Sequence, residues 1–192
     1  MTMTEDEFSG DARPEMPNCG ASHSSSDVFR QQRSLSRIIT MQFLYAMDCQ
    51  ECADYSPEEF TAFLELAREE NSRHSNSSLY RKAAQRARKL TAAFFERREE
   101  IDGLIHAAAT NWSLDRINRI DRNLLRTAVA EMLWDSKLPP VVAINEAINI
   151  AKDYGQADST KFINGVLDQI RSKLNSRPVE FTGSSNSTPT AE

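Results

Sequence analysis

The stretch "LPPVVAINEAINIAKDYGQADSTKFINGVLDQI" (residues 138–170) reads as two helices meeting at a short polar elbow. Ile144, Ala147, Ile148 and Ala151 recur at i, i+3, i+4 and i+7, the spacing of one helical face. Gly155 is expected to close the first of these helices. Asp158 or Ser159 is expected to cap the second. There Phe162, Val166 and Ile170 form one apolar row, with Ile163, Leu167 and Leu174 beside it. No period-two alternation competes with this pattern, so the chain is not read as β.

Lys161 and Phe162 fall in the first turn of the second helix. The helix dipole prefers acids there, so a lysine in that turn points to a task outside the helix. Phe162 has two readings. It opens an apolar row, and packing is the reading that burial statistics favour. A partly exposed ring can instead stack on a nucleobase while Lys161 meets a phosphate, a contact of roughly 1–3 kcal/mol. Gly165 costs a helix about 1 kcal/mol against alanine. It is expected to let a neighbouring helix approach closely, and no ligand is assigned to it.

The helical reading extends upstream. In "LDRINRIDRNLLRTAVAEMLWDSK" (114–137), Ile117, Ile120, Leu124, Ala128 and Val129 keep helical spacing. Leu125, Met132 and Leu133 widen the stripe, so this helix is expected at the core, ending at Pro139–Pro140. Trp112 and Ser113 lie just before it. A long helical region, with room for an interruption, is expected from Leu79 to about Ala109. "NSRHSNSS" (71–78) is a polar break. "SPEEFTAFLELAREE" (56–70) opens with Ser56 as cap, Pro57 at the first helical position and Glu59 completing a capping box. "SLSRIITMQFLYAMDCQ" (34–50) is apolar on more than one face and should be largely buried. The expected fold is all-α, a compact bundle of about six or seven helices.

The 192 residues suffice for one domain. No apolar run is long enough to span a membrane, and the acidic amino terminus lacks the apolar segment of a secretory signal, so a cytoplasmic setting is expected. Residues 1–27 carry six acids and one base, and account for the whole net charge of −5. That stretch is read as a disordered acidic tail, residues 28–176 as the domain and 177–192 as a second disordered tail. The domain is therefore neutral overall, and its bases occur in clusters, which matter more than the total because salt screens fields beyond about 10 Å.

Enzyme signatures are lacking: there is no Gly-rich phosphate loop, no G-x-S-x-G and no H-E-x-x-H. Carboxylate pairs such as Glu58–Glu59 and Glu99–Glu100 sit on helix starts or polar faces and read as solvated charges. "CQEC" (49–52) has half-site spacing, but no second pair follows and the histidines are scattered, so neither metal nor cofactor is expected. Two basic features stand out. "RQQRSLSR" (30–37) puts Arg30, Arg33 and Arg37 on one helix side, an arm able to lie along a phosphate backbone. "RKAAQRARK" (81–89) concentrates Arg81, Lys82, Arg86, Arg88 and Lys89, and reads first as a solvated face.

Residues 138–170 closely resemble the carboxy-terminal signature of the NusB family of transcription antitermination factors. That signature runs approximately P-x-x-V-A-I-N-E-A, then A-K-x-(F/Y)-G, a short cap and K-F-(V/I)-N-G-(V/I)-L. "INRIDRNLLRTAVAEML" resembles the family's central helix and "SRIITMQFLYAMD" its first, so the likeness covers most of residues 30–174. It implies two packed helical subdomains without enzymatic activity. It also implies binding of boxA-type RNA in ribosomal RNA leader transcripts, jointly with the small-subunit ribosomal protein NusE, in a complex with RNA polymerase and other Nus factors.

Carried over by position, the resemblance assigns Arg33 and Arg37, with Arg30 beside them, to RNA. Asp158, Lys161 and Phe162 go to the same ligand. Tyr45, Asp121 and Glu131 are assigned to the ribosomal-protein partner. The chain departs from the family pattern at Ser34 and Leu35, where further arginines are usual, at Ala130, where tyrosine is usual, and at Asp121, where glutamate is usual. Two rival readings are an RNA-binding module like the amino-terminal part of ribosomal RNA cytosine methyltransferases, in which case a catalytic domain should follow residue 176, and a self-associating helical protein, a homodimer.

Overall fold

The computed structural model describes residues 25–51, 55–70, 78–109 and 117–176. Residues 1–24 and 177–192, the break at 71–77, Cys52, Trp112 and Ser113 lie outside the described residues. Among the described residues there are seven helices and no strand. They are α1 (Ser25–Cys49), α2 (Pro57–Glu70), α3 (Ser78–Glu96), α4 (Arg98–Ala108), α5 (Arg119–Trp134), α6 (Pro140–Tyr154) and α7 (Ser159–Asn175).

Local chemistry accounts for most of the boundaries. The Ser56 hydroxyl accepts from the Glu59 N–H at 3.0 Å and the Glu59 carboxylate accepts from the Ser56 N–H at 3.2 Å, the reciprocal capping box expected. Arg97 breaks the long helical region into α3 and α4. Four boundaries differ from the sequence reading: α3 opens at Ser78, the last residue of the stretch read as a break, α5 opens at Arg119, after Ile117, and two others have larger consequences. α1 starts at Ser25, inside the stretch read as tail, and carries Arg30, Arg33 and Arg37 on a helix, as their spacing predicts. α5 stops at Trp134, before Pro139–Pro140. The prolines start α6 instead: Pro140 takes the first helical position, where a missing N–H costs nothing.

α5 is the axis of the bundle. Every residue from Asp121 to Met132 is buried. α1 and α3 pack on α5 on one side, and α6 and α7 on another, with α4 against α5 and α7. The amino-terminal group α1–α3 and the carboxy-terminal group α4–α7 thus meet across α5. Ion pairs fix the directions. Arg33 reaches Asp135 beyond the end of α5 at 3.0 Å, while Arg122 near its start reaches Asp48 at 2.6 Å. α1 therefore runs antiparallel to α5. α3 does the same, with Arg86 bonded to Glu131 and Phe94 beneath the Arg126 guanidinium. The molecule has two poles. At the first, α1 and α3 begin and α5 ends. At the second, α5 begins, α6 ends and α7 begins. From Asp121 to Asp135 the separation is about 21 Å at 1.5 Å per residue.

Buried charges survive only when paired. Glu131, with no exposed surface, accepts from Arg37 Nε at 2.7 Å and from Arg86 Nη2 at 2.6 Å. Arg37 also reaches Glu146 of α6 at 3.0 Å. A second group joins α1, α4 and α5: Arg126 holds Asp102 by two bonds, at 2.7 and 2.8 Å, and Asp48 takes Arg122 and Asn123. Burial opposes ionisation of Asp48, but the bonds and charge of Arg122, with Asn123 and Arg126, outweigh it and hold the carboxyl below its usual range.

Gly165 corrects the sequence reading. A Cβ built there meets nothing within 4 Å, so no helix approaches it. Gly165→Ala is expected to be neutral or to stabilise the fold by about 0.5–1 kcal/mol through reduced backbone entropy. Urea unfolding checks this, and a loss beyond 1 kcal/mol would contradict it.

Candidate nucleic-acid interface

The elbow between α6 and α7 builds the second pole. The Gly155 N–H closes α6 on the Ala151 carbonyl at 2.9 Å. Asp158 occupies the capping position of α7, yet its side chain makes no capping bond. Ser159 acts as a fastener instead of a cap. Its hydroxyl accepts from the Gln156 N–H at 2.8 Å and donates to Asp121 Oδ2 at 2.9 Å, tying the elbow to α5. Asp121 is 7% exposed, and its Oδ1 is buried with no hydrogen bond among the described residues. Burial pushes its carboxyl above the usual range, partly offset by the Ser159 bond.

Beside this fastener lies a cleft of about 430 Å³ lined by Ile117, Asn118, Asp121, Gln156 and Phe162. Asp158 lines it too and is exposed at the surface. The Phe162 ring resolves the two sequence readings in an intermediate way. It is half-buried, packed on the core on one side and lining the cleft on the other. Lys161 is exposed, one residue before it. The pole therefore presents a cation, a partly accessible ring and the Asp158 carboxylate within about one helical turn, with the buried Asp121 behind them.

Tyr45 stands at the same pole. It is 39% exposed on α1, three residues before Asp48, which bonds Arg122. A hydrogen bond to the Cys49 thiol raises its phenol above the usual range. Sequence reasoning placed Asp121 with Tyr45, apart from Phe162. The structure puts Asp121 and Phe162 in one cleft, a juxtaposition that a separation of about forty residues hides.

The other expected site residues lie at the first pole. Arg30 is exposed and pairs with Asp27 at 2.9 Å. Arg33 is a quarter exposed and pairs with Asp135. Burial opposes ionisation of Asp135, but Arg33 and Arg86 outweigh it and hold the carboxyl below its usual range. Two expectations fail on exposure. Arg37, 3% exposed, and Glu131, fully enclosed, hold each other in the interior, so neither presents the surface that contact with RNA or a partner requires. The physical reason is the facing carboxylates of α5 and α6, which draw the Arg37 guanidinium inward. In the second basic cluster, Arg86 turns inward to Glu131, Arg88 lies half-buried across the surface of α2 onto Thr61 at 3.1 Å, and Arg81, Lys82 and Lys89 are exposed.

A sequence profile described as the NusB family matches residues 34–172. The chain belongs to the NusB family. It is 40% identical over 142 residues to the transcription antitermination protein NusB of Geobacter sulfurreducens, covering 74% of this chain and 95% of that one. The fold is similar to NusB of T. maritima, with a TM-score of 0.59 and 32% identity over 73% of this chain and 91% of that one. It is similar also to a structure of the antitermination factors NusB and NusE in complex with dsRNA, with a TM-score of 0.60 and 29% identity over 74% of this chain and 98% of that chain. Among the described residues, no helix is long and apolar enough to cross a membrane.

Proposed function

We propose that this chain is a transcription antitermination factor that binds boxA-type RNA of ribosomal RNA leader transcripts together with NusE. In that role it supports processive transcription in a cytoplasmic complex with RNA polymerase and other Nus factors. The observation that carries the reading is the exposed Lys161 next to a half-buried Phe162 on the rim of the cleft. Lys161 meets a phosphate and Phe162 stacks on an unpaired base. Asp158 contributes a carboxylate that accepts from a base or ribose donor and repels phosphate, which favours one register. The partner reading rests on Tyr45, whose ring is accessible, with Asp121 supplying a buried acceptor behind the second pole. The protein makes and breaks no covalent bond in this role.

The test is titration of a labelled boxA-like single strand, and of its duplex as control, with and without NusE across a salt series. Phe162→Ala is expected to weaken single-strand binding about 5- to 150-fold, the equivalent of roughly 1–3 kcal/mol per stacked base. Lys161→Ala is expected to weaken binding and reduce the slope of log affinity against log salt by about 0.7 to 1. Unchanged affinity in the first variant and an unchanged slope in the second would refute the reading.

A further inference from the structure

We infer that the groove between α2 and α3 is the docking site of the chain's own acidic amino-terminal segment, residues 1–24, and that the docked segment shields the basic face of α3 from other polyanions. The inference is independent of the RNA-binding reading and concerns a surface that reading leaves unused.

The groove has a volume of about 340 Å³. Its floor is apolar, made by the partly buried Leu64 and Ala84 and the buried Tyr80. The Tyr80 hydroxyl donates to the Leu64 carbonyl at 3.4 Å, tying α3 to α2. Arg81 and Arg88 line the α3 side. Lys82 and Lys89, both exposed, stand on the outer shoulder of α3, within about 120° of Arg81 and Arg88 at 100° per residue. From Ser78 to Phe95 α3 carries no acid. On the α2 side stand the exposed Glu65 and, two turns before it on the same face, Glu58, while the Glu59 carboxylate is engaged in its capping box. The four bases therefore outnumber the acids that face them.

The occupant has to supply acids and an apolar side chain, and residues 1–24 hold both. They carry Glu5, Asp6, Glu7, Asp11 and Glu15 against the single base Arg13, with Met3, Phe8 and Met16 interspersed. A nucleic-acid strand would find cations here but no open ring to stack on, since Tyr80 is 7% exposed. The tether is short enough. α1 and α3 run side by side, with Arg86 bonded to Ser36 and Thr40 to the Ala87 carbonyl. At 1.5 Å per residue Ser25 lies roughly 16 Å before that level and Ser78 roughly 12 Å before it. The chain thus enters α1 within about one turn of the start of α3. An extended chain covers about 3.3 Å per residue, so Glu15, ten residues before Ser25, reaches roughly 33 Å, and the acids before it reach further. Exposed ion pairs are individually weak, but tethering raises the local concentration of the segment to the millimolar range.

The experiment uses the full chain with a nitroxide at position 9 (Ser9→Cys, with Cys19→Ser, Cys49→Ser and Cys52→Ser), amide dispersion confirming that each variant is folded. In about 50 mM salt the amide signals of residues 61–65 and 81–89 are expected to lose at least half their intensity. They should recover in about 1 M salt, where screening shortens to about 3 Å, and in a Lys82→Glu, Lys89→Glu background. Replacing the acids (Glu5→Gln, Asp6→Asn, Glu7→Gln, Asp11→Asn, Glu15→Gln) is expected to raise affinity for a random-sequence RNA duplex roughly 3-fold or more at low salt, and the gain should vanish in the Lys82→Glu, Lys89→Glu background. No signal loss in the groove, a loss centred on Arg30 and Arg33 of α1, or a loss indifferent to salt and to the charge reversal overturns the docking. So does a loss that arises only between two chains, which would make a second copy the occupant. A gain in duplex affinity that survives the charge reversal overturns the shielding.

Discussion

Glu131→Ala is expected to cost the fold about 3–5 kcal/mol, because it leaves two buried guanidinium groups without their shared counter-charge. Glu131 is fully enclosed, and the Arg37 and Arg86 side chains it holds are 4% and 10% exposed. Against a total stability of about 5–15 kcal/mol for a natural domain, this is a large fraction. The loss should show as a lower urea midpoint with little change in slope. Glu131→Gln keeps the shape and some hydrogen bonding but not the charge, so it should fall between the alanine variant and the unsubstituted protein. The exposed Arg30–Asp27 pair gives the contrast: removing it should cost no more than about 1 kcal/mol. If Glu131→Ala loses less than 1 kcal/mol, the network is not holding α1, α3 and α5 together as described.

Gly155→Ala is expected to damage stability and RNA binding together. A Cβ at Gly155 would lie 2.6 Å from the Ala151 carbonyl oxygen, 2.7 Å from Ser159 Cβ and 2.9 Å from Ser159 Oγ. None of these can move freely. The carbonyl is helix backbone that accepts the Gly155 N–H, and the hydroxyl fastens the elbow to Asp121. Overpacking of this kind costs about 1–3 kcal/mol. Relief requires the start of α7 to shift, and Lys161 and Phe162 shift with it. A thermal melt with a boxA-like RNA titration checks both halves. A variant with unchanged melting temperature and unchanged affinity would show that the elbow tolerates the methyl group and that the site does not depend on its geometry. The Gly165→Ala variant is the matched control, since the same added methyl group meets open space there.

Legibility in the sequence followed locality. The capping box at Ser56 and Glu59, the apolar rows of α5, α6 and α7, and the closing role of Gly155 were readable because each is decided within one or two turns. The same holds for the start of α7 at the stretch carrying Lys161 and Phe162. Misreadings occurred where the deciding partner is distant. Arg37 looked like an outward base until Glu131 and Glu146, about a hundred residues away, were brought against it. Of the two residues expected to cap α7, Asp158 takes the position without a side-chain capping bond, and Ser159 binds Asp121 instead. The prolines at 139 and 140 looked like the end of one helix and proved to be the start of the next.

By itself, then, the amino-acid order determined the all-helical class, the approximate helix positions and the family, because hydrophobic spacing, caps and breakers act over a few residues along the chain. Only the tertiary structure decided which charged side chains face water and which are enclosed. That choice depends on whether a counter-charge from another helix offsets the cost of leaving solvent, and no spacing along one helix carries that information.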